Sequence, residues 1–387
     1  MNAHGRATMK AAVLVDVNRL EVRDVPRVDP APHEVLVRVE AVGLCGTDVH
    51  IVEGHANYNA DERGRLRSLR ESPQILGHEI AGVVAECGSA VRELAPGDRV
   101  IVDQGRCCVS EARTPRCEYC ATGDSHQCES YREHGITGLP GGFADYVTVP
   151  AVNAVRLRTA LPAEQAALSE PLGCVIHAAD LVVRANARYA LDSMGDGRVR
   201  TIVVCGGGPA GILFVQYLRR VMGFAGRVIV SEPSAVRRAL VDRFGAETID
   251  PTATDLVAEV AERSGGRRAE LLIEASGAGS VFAMIPGLVR KQATVLLYGH
   301  GHAGVDLSVM NQVQFLEPTL VSPVGASGGH DADGRPLTYV RALQLLEDGV
   351  IDVAPVVSHR YASLEALPSV FAGAYRRPDF VKGVLTL

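Results

Sequence analysis

Nine cysteines are spread unevenly over the 387 residues, and five of them fall between Cys107 and Cys128. In a large chain without a secretory leader, clustered cysteines point to metal more than to disulfides. Cys117 and Cys120, two residues apart, followed by Cys128, have the spacing of thiolates around a closed tetrahedral zinc. A fourth ligand is required, and Cys107 or Cys108 can supply it. A second constellation is dispersed. Cys45 stands in Gly43-Leu44-Cys45-Gly46-Thr47-Asp48-Val49-His50, His78 in Gly77-His78-Glu79, and Glu170 in Glu170-Pro171-Leu172-Gly173-Cys174. A catalytic zinc takes about three protein ligands and keeps one position open. Cys45 and His78 are two; Glu79, Glu170 or, behind them, Cys174 is the third. Cys87 and Cys205 read as ordinary core thiols, and His177 as a packed helix residue.

A third chemistry is carried by glycine. The apolar run Ile202-Val203-Val204-Cys205 leads directly into Gly206-Gly207-Gly208-Pro209-Ala210-Gly211. A strand, then G-x-G-x-x-G, then a helix is the arrangement that binds a dinucleotide pyrophosphate. Gly206 permits the tight turn, Gly208 admits the phosphates, and Gly211 lets helix and strand pack closely. The helix start offers free N–H groups and partial positive charge. Glu232 ends the next strand, where a carboxylate binds the ribose diol and repels a 2′-phosphate. NAD is therefore expected over NADP: Pro233 and Ser234, the next residues, offer no cation, and Arg237, further along on the following helix, is the residue that weighs against this.

The elements that must hold these residues fall into distinct stretches. From Met9 to about Pro150, short strands broken by Gly and Pro turns are expected: 10–15, 34–42, 80–87, 99–102 and 144–149. From Thr201 to Tyr298, strands at 201–205, 227–231, 270–274 and 294–298 alternate with helices at 210–221 and 234–244, the pattern of a parallel sheet covered on both faces. A helix at 339–347 and short extended pieces close the chain. The fold class is α/β, a β-rich domain joined to a doubly wound parallel sheet. A net charge of −6 predicts no strong attraction to nucleic acid or anionic membranes. No apolar run is expected to reach the ~18 residues needed to span a bilayer. Met1–Thr8 reads as a short polar tail, and the expected location is the cytoplasm.

Taken in order, G-L-C-G-T-D-V-H at 43–50, G-H-E at 77–79, G-D-R-V at 97–100, the cysteine cluster, G-G-F-A-D-Y-V at 141–147, E-P-L-G-C-V-I-H-A at 170–178 and the glycine loop resemble the zinc-containing medium-chain dehydrogenase/reductase family. The resemblance implies a GroES-like catalytic domain over 1–178, a Rossmann-type NAD-binding domain over 179–329, and a return to the catalytic domain over 330–387. It implies a homodimer or homotetramer built on an edge strand near Thr319–Pro323. The E-P-L segment is similar to the sorbitol and threonine dehydrogenase branch, which implies Glu170 as third ligand of the catalytic zinc, able to exchange with Glu79. Counting from Asp98 puts Cys108 at the first structural-zinc position, with Cys117, Cys120 and Cys128 completing it. One departure is visible: eight residues, Val109 to Arg116, separate Cys108 from Cys117, where the family has two.

The resemblance further implies reversible hydride transfer between an alcohol carbon and the nicotinamide. Thr47 would contact the substrate oxygen, His50 would pass the proton to water, and Asp48 would orient its neighbours. Two zinc ions per chain, NAD and a small alcohol or ketone are the expected partners. The absence of Trp, 5% aromatics and the polar segment Glu53-Gly54-His55-Ala56-Asn57-Tyr58-Asn59 suggest a polyol, cyclitol or amino alcohol over a simple aliphatic alcohol. Arg63, Arg65, Arg67 and Arg70 on the loop beyond it read as a surface loop or as an anion-gripping lid. Other readings are a carbonyl reductase or simple alcohol dehydrogenase, an epimerase or lyase using transient oxidation, or a non-catalytic NAD-binding protein.

Overall fold

The computed structural model describes residues 7–302 and 304–387. Of the tail expected over Met1–Thr8, positions 1–6 lie outside the described residues, and Thr8 already opens the first strand, Thr8–Asp16. The chain divides into two compact units. The first comprises Met1–Gly173, Ala326–Gly349 and Val357–Leu387; the second comprises Cys174–Gly325 and Val350–Val356. Residues 350–356, read in the sequence as part of the C-terminal return, thus group with the second unit. The Gln216 side chain fixes them by donating to the Asp352 carbonyl at 2.9 Å and accepting the Asp352 N–H at 2.8 Å.

The first unit is built on a seven-stranded sheet, with Glu34–Gly43 between Glu79–Cys87 and Lys382–Thr386, and with Tyr146–Pro150 pairing along its first half. Alternation explains the placement. Val35, Val37, Val39 and Val42 share a core with Leu76, Ile80, Val84, Phe143 and Leu385. Because the C-terminal strand pairs antiparallel with Glu34–Gly43, register Val384 to Gly43, Lys382 is delivered beside the start of Glu79–Cys87.

The second unit holds a six-stranded sheet in which every neighbouring pair is parallel. Its order is Glu247–Ile249, Arg227–Ser231, Thr201–Cys205, Ala269–Glu274, Val289–Leu297, Thr319–Val321. This 3-2-1-4-5-6 order places the strand reversal beside Thr201–Cys205, the position where doubly wound sheets bind dinucleotides. The helix expected over 210–221 is α-helical over Pro209–Gln216 and widens to a π turn over Tyr217–Val221. Residues 163–184 are long and apolar enough to cross a bilayer by length and composition, although Glu170, His177 and Asp180 interrupt them. Their most apolar window is 67% buried inside the protein, as in a core helix of a soluble fold.

Candidate metal centres and dinucleotide loop

Cys45 follows the central strand and caps the short helix Gly46–Val52. Asp48, expected among the catalytic residues, is fully buried, and its carboxylate is committed to scaffolding. It accepts the N–H of Cys45 at 2.9 Å and of Gly77 at 3.2 Å, and stands 3.4 Å from His78 Nδ1. Asp48 therefore ties the two segments that carry Cys45 and His78, and its carboxylate faces the imidazole, whose Nδ1 makes no hydrogen bond.

Cys45, His78 and Glu79 offer donor atoms that all lie within 4.8 Å of one another. His78 and Glu79 are buried, and Glu79 Oε2 has no hydrogen-bond partner. Gly43 is required here, because a Cβ on it would sit 1.8 Å from that same oxygen. Burial disfavours a charged His78, yet the facing Asp48 carboxylate and Cys45 sulfur outweigh it and hold its pKa well above the usual value. A buried pocket with a thiol, an imidazole, an orphaned carboxylate oxygen and a field favouring positive charge suits a divalent ion. Glu170 stands outside the set of three; it is buried in the first turn of helix Ser169–Arg184 and accepts the Gln104 amide at 3.2 Å. Cys174 is not in the set either. Thr47 Oγ1 lies 3.7 Å from Cys45 Sγ. His50 is half-buried, with its ring 6.2 Å from that of exposed His55.

Two contributors escaped the sequence reading. Lys382 is buried, and its Nζ lies 2.5 Å from Glu79 Oε1. The signal for it was a lone cation inside the apolar strand Val381-Lys382-Gly383-Val384-Leu385. Gln104 joins Glu170 to the Tyr339 hydroxyl, a contact no local pattern announces.

Cys108, Cys117, Cys120 and Cys128 form the second cluster, again with all sulfurs within 4.8 Å of one another. Cys107 faces elsewhere, with its Sγ 3.9 Å from His330 Nε2. The extra residues turn outward, and Ala112 to Arg116 are exposed. Backbone N–H groups of Cys120 and Glu129 point at Cys117 Sγ and lower its pKa to about 7, whereas burial pushes the Cys120 and Cys128 thiols up, so in the absence of a cation Cys117 is the thiol that ionises most readily. Four clustered sulfurs of this kind match a closed tetrahedral site.

In the second unit Gly206 has φ of 107°, and a Cβ on Gly211 would meet the Gly206 carbonyl at 1.9 Å. Gly208 caps helix Pro209–Gln216, and Pro209 takes its first position, where no N–H is needed. Glu232 is buried and accepts the N–H groups of Gly207 at 2.8 Å and Ser234 at 2.9 Å. Arg237 Nη1 lies 3.9 Å from Glu232 Oε1, and Arg238 donates to the Glu232 carbonyl at 2.8 Å and pairs with Asp250 at 2.9 Å, so both neighbouring guanidiniums are engaged.

The arginine-rich loop is a surface turn. Arg65 pairs with Asp61 at 2.7 Å and Arg70 with Asp16 at 2.8 Å, and the Arg63 and Arg67 side chains are exposed.

Family models for an alcohol dehydrogenase GroES-like domain and a zinc-binding dehydrogenase match residues 31–159 and 209–347. The chain is 31% identical to an L-threonine 3-dehydrogenase of Pyrococcus abyssi over 94% of both chains. It is also 31% identical to a scyllo-inosose 3-dehydrogenase of Thermotoga maritima, over 90% of this chain and 85% of that one. A zinc-binding dehydrogenase from Sinorhizobium meliloti, solved with NADP, superposes with a TM-score of 0.78 at 30% identity, covering 99% of this chain and 100% of that one. Sequence, fold and site define a nicotinamide-dependent, zinc-dependent oxidoreductase. The chain belongs to the zinc-containing medium-chain dehydrogenase/reductase family.

Proposed function

We propose that the protein oxidises a polar secondary alcohol (a polyol, cyclitol or amino alcohol) to its ketone, with NAD as hydride acceptor. The observation that carries the reading is the buried Cys45, His78 and Glu79 donor set, joined in one chain to a dinucleotide loop closed by Glu232. Cys45, His78 and Glu79 would hold the catalytic zinc, with Glu170 near enough to Gln104 and Lys382 to serve as an exchanging partner. Bound there, zinc supplies Lewis acidity that lowers the pKa of an alcohol and polarises a carbonyl. Thr47 would accept a hydrogen bond from the substrate hydroxyl and hand its own proton to the nicotinamide ribose, from which His50 passes it to solvent. The balance is one alcohol and one NAD to one ketone, one NADH and one proton. Gly206, Gly208, Pro209 and Gly211 cradle the pyrophosphate; Glu232 selects the free ribose diol, and Arg237 is held against Glu232 instead of standing ready for a 2′-phosphate. Cys108, Cys117, Cys120 and Cys128 would take a second, structural zinc.

The polar substrate class is supported by relatives named for an amino-alcohol and a cyclitol substrate. Association through the edge strand Thr319–Val321 is supported by Leu320, 48% exposed within it. The test is an NAD-reduction screen across aliphatic alcohols, polyols, cyclitols and amino alcohols. NADH accumulating in excess over enzyme with a polar alcohol supports the proposal. Preference for ethanol or butanol over every polar alcohol tested, or turnover without net NADH, overturns it.

A further inference from the structure

The second unit contains a cavity at the N-terminal ends of its parallel strands, the end opposite the glycine loop. It is a hollow of about 820 Å³ open to solvent, and five cationic side chains line it: Arg188, Arg267, Arg268, Arg290 and Lys291. Arg267 and Arg268 immediately precede strand Ala269–Glu274, and Arg290 and Lys291 lie at the start of its neighbour, Val289–Leu297. Parallel pairing therefore brings both dipeptides to one edge of the sheet.

Acidic groups do not balance them. Fully buried Glu270 answers both Arg267, at 3.3 Å, and Arg290, at 3.0 Å. Its other oxygen is taken by the N–H groups of Arg200 and Thr201. Glu317, the one acid in the lining, accepts the Gln292 amide at 3.0 Å. Arg188 reaches only the neutral Gln292 Oε1, at 3.2 Å, and Arg268 a backbone carbonyl at 3.5 Å. Lys291 is exposed, and no carboxylate pairs with it among the described residues. Arg267 Nε is buried without an acceptor.

Gathering like charges in a concavity raises the free energy of the folded state unless an anion offsets it. This one exists in a chain whose net charge is −6. Two of the guanidiniums are also held in place: those of Arg188 and Arg290 lie 5.7 and 5.1 Å from the ring centre of buried Tyr189. Fixed guanidinium forks match phosphate oxygens in a bidentate way. The hollow is wider than one inorganic phosphate, and its cations are spread over two strand starts, so a single phosphate would leave part of them unmatched.

We propose that this cavity binds a phosphorylated small molecule bearing more than one phosphate group, at a site separate from the dinucleotide loop. The inference rests on the second unit alone and stands whatever alcohol the enzyme oxidises.

Calorimetric titration of the full-length protein, saturated with NADH, tests it, with inorganic pyrophosphate and ATP as probes. One equivalent per chain should bind with a dissociation constant below ~1 mM, weakening as salt is raised. The double substitution Arg268→Ala with Lys291→Ala should weaken binding at least tenfold and leave NADH affinity unchanged. The exposed single change Lys291→Glu is read in the same way if the double variant does not fold. No heat with either probe, binding that NADH abolishes, equal binding of sulfate, or affinity indifferent to the substitutions overturns the proposal. So does a double variant whose assembly size changes, since the patch would then be an interface between copies.

Discussion

The Lys382 ammonium lies 2.5 Å from Glu79 Oε1, with both side chains buried, so one oxygen of a candidate metal ligand is already claimed by a cation. Burial works against a charged lysine, but the Glu79 carboxylate and the Cys45 sulfur more than restore it, and its pKa is raised. The pair holds one Glu79 oxygen and leaves Oε2 buried without a partner, in a carboxylate that lies within reach of Cys45 and His78.

Replacing Lys382 by Met removes that counter-charge and leaves Glu79 buried and unpaired, a change that costs about 3–5 kcal/mol. The loss should be smaller in zinc-replete protein, where the metal offsets the same charge. Urea denaturation of Lys382→Met with and without chelator measures both. An equal loss in the two states would mean that Glu79 does not face the metal.

Cys117→Ser should lower zinc content from two ions per chain to one and leave NAD reduction measurable, because the four-cysteine cluster shares no ligand with the Cys45 set. Elemental analysis of purified protein decides it. A wild type with a single zinc, unchanged by the substitution, would show that the outward-turned insertion belongs to a cluster without metal.

Glu232→Gln keeps the shape and one acceptor for the Gly207 and Ser234 N–H groups but removes the negative charge. NAD kcat/KM should fall about tenfold, roughly 1.4 kcal/mol, while the relative use of NADP rises as Arg237 loses its partner. Steady-state kinetics with both cofactors check this. A wild type preferring NADP would refute the charge argument.

The parts legible in the sequence are those whose signal is local. Alternating valines fixed Glu34–Gly43 to within one residue, and Thr201–Cys205 and Arg227–Ser231 were read with their observed ends. The zinc and dinucleotide motifs were visible because each sits at a turn with its own glycine. What was missed is either short or non-local. Glu247–Ile249 has three residues, too few for a period to show. Helix Leu256–Arg263 announces itself mainly through Asp255, whose carboxylate accepts the N–H groups of Val257 and Ala258. Helix Ser169–Arg184 was noticed for its motif and not for its length, because its apolar residues crowd all around it. Lys382 and Gln104 meet their partners across 303 and 66 residues, separations that only the finished sheet closes.

His134 makes stability depend on mild acid. It is buried, its Nδ1 is bonded to the Pro140 carbonyl at 2.8 Å, and its Nε2 has no partner. Burial lowers its pKa to about 4. The unfolded chain binds this proton near pH 6.5 and the folded chain only near pH 4, so stability is full above about pH 6.5 and is lost as pH falls toward 4. The shift corresponds to about 3 kcal/mol. His134→Gln should remove that slope, so the difference in urea midpoint between wild type and variant should change between pH 7 and pH 4. A constant difference would mean that folded His134 takes up its proton as readily as in the unfolded chain.

The proton route is testable at His50. It lies in the last turn of helix Gly46–Val52, half-buried, and its ring approaches that of exposed His55, which in turn lies 3.4 Å from Glu53. Tyr375 and Arg376 clamp the Glu53 carboxylate, so this end of the helix is held firmly beside solvent. A base placed between the interior and water matters most where hydroxide is too scarce to replace it. His50→Gln should therefore slow NAD-dependent oxidation mainly below pH ~8, and added imidazole should restore part of the rate. The hydride step itself should be untouched, so the burst of enzyme-bound NADH at high pH should match the wild type. A pH–rate profile that does not move, with no rescue by imidazole, would remove His50 from the reaction and leave the proton to exit by another path.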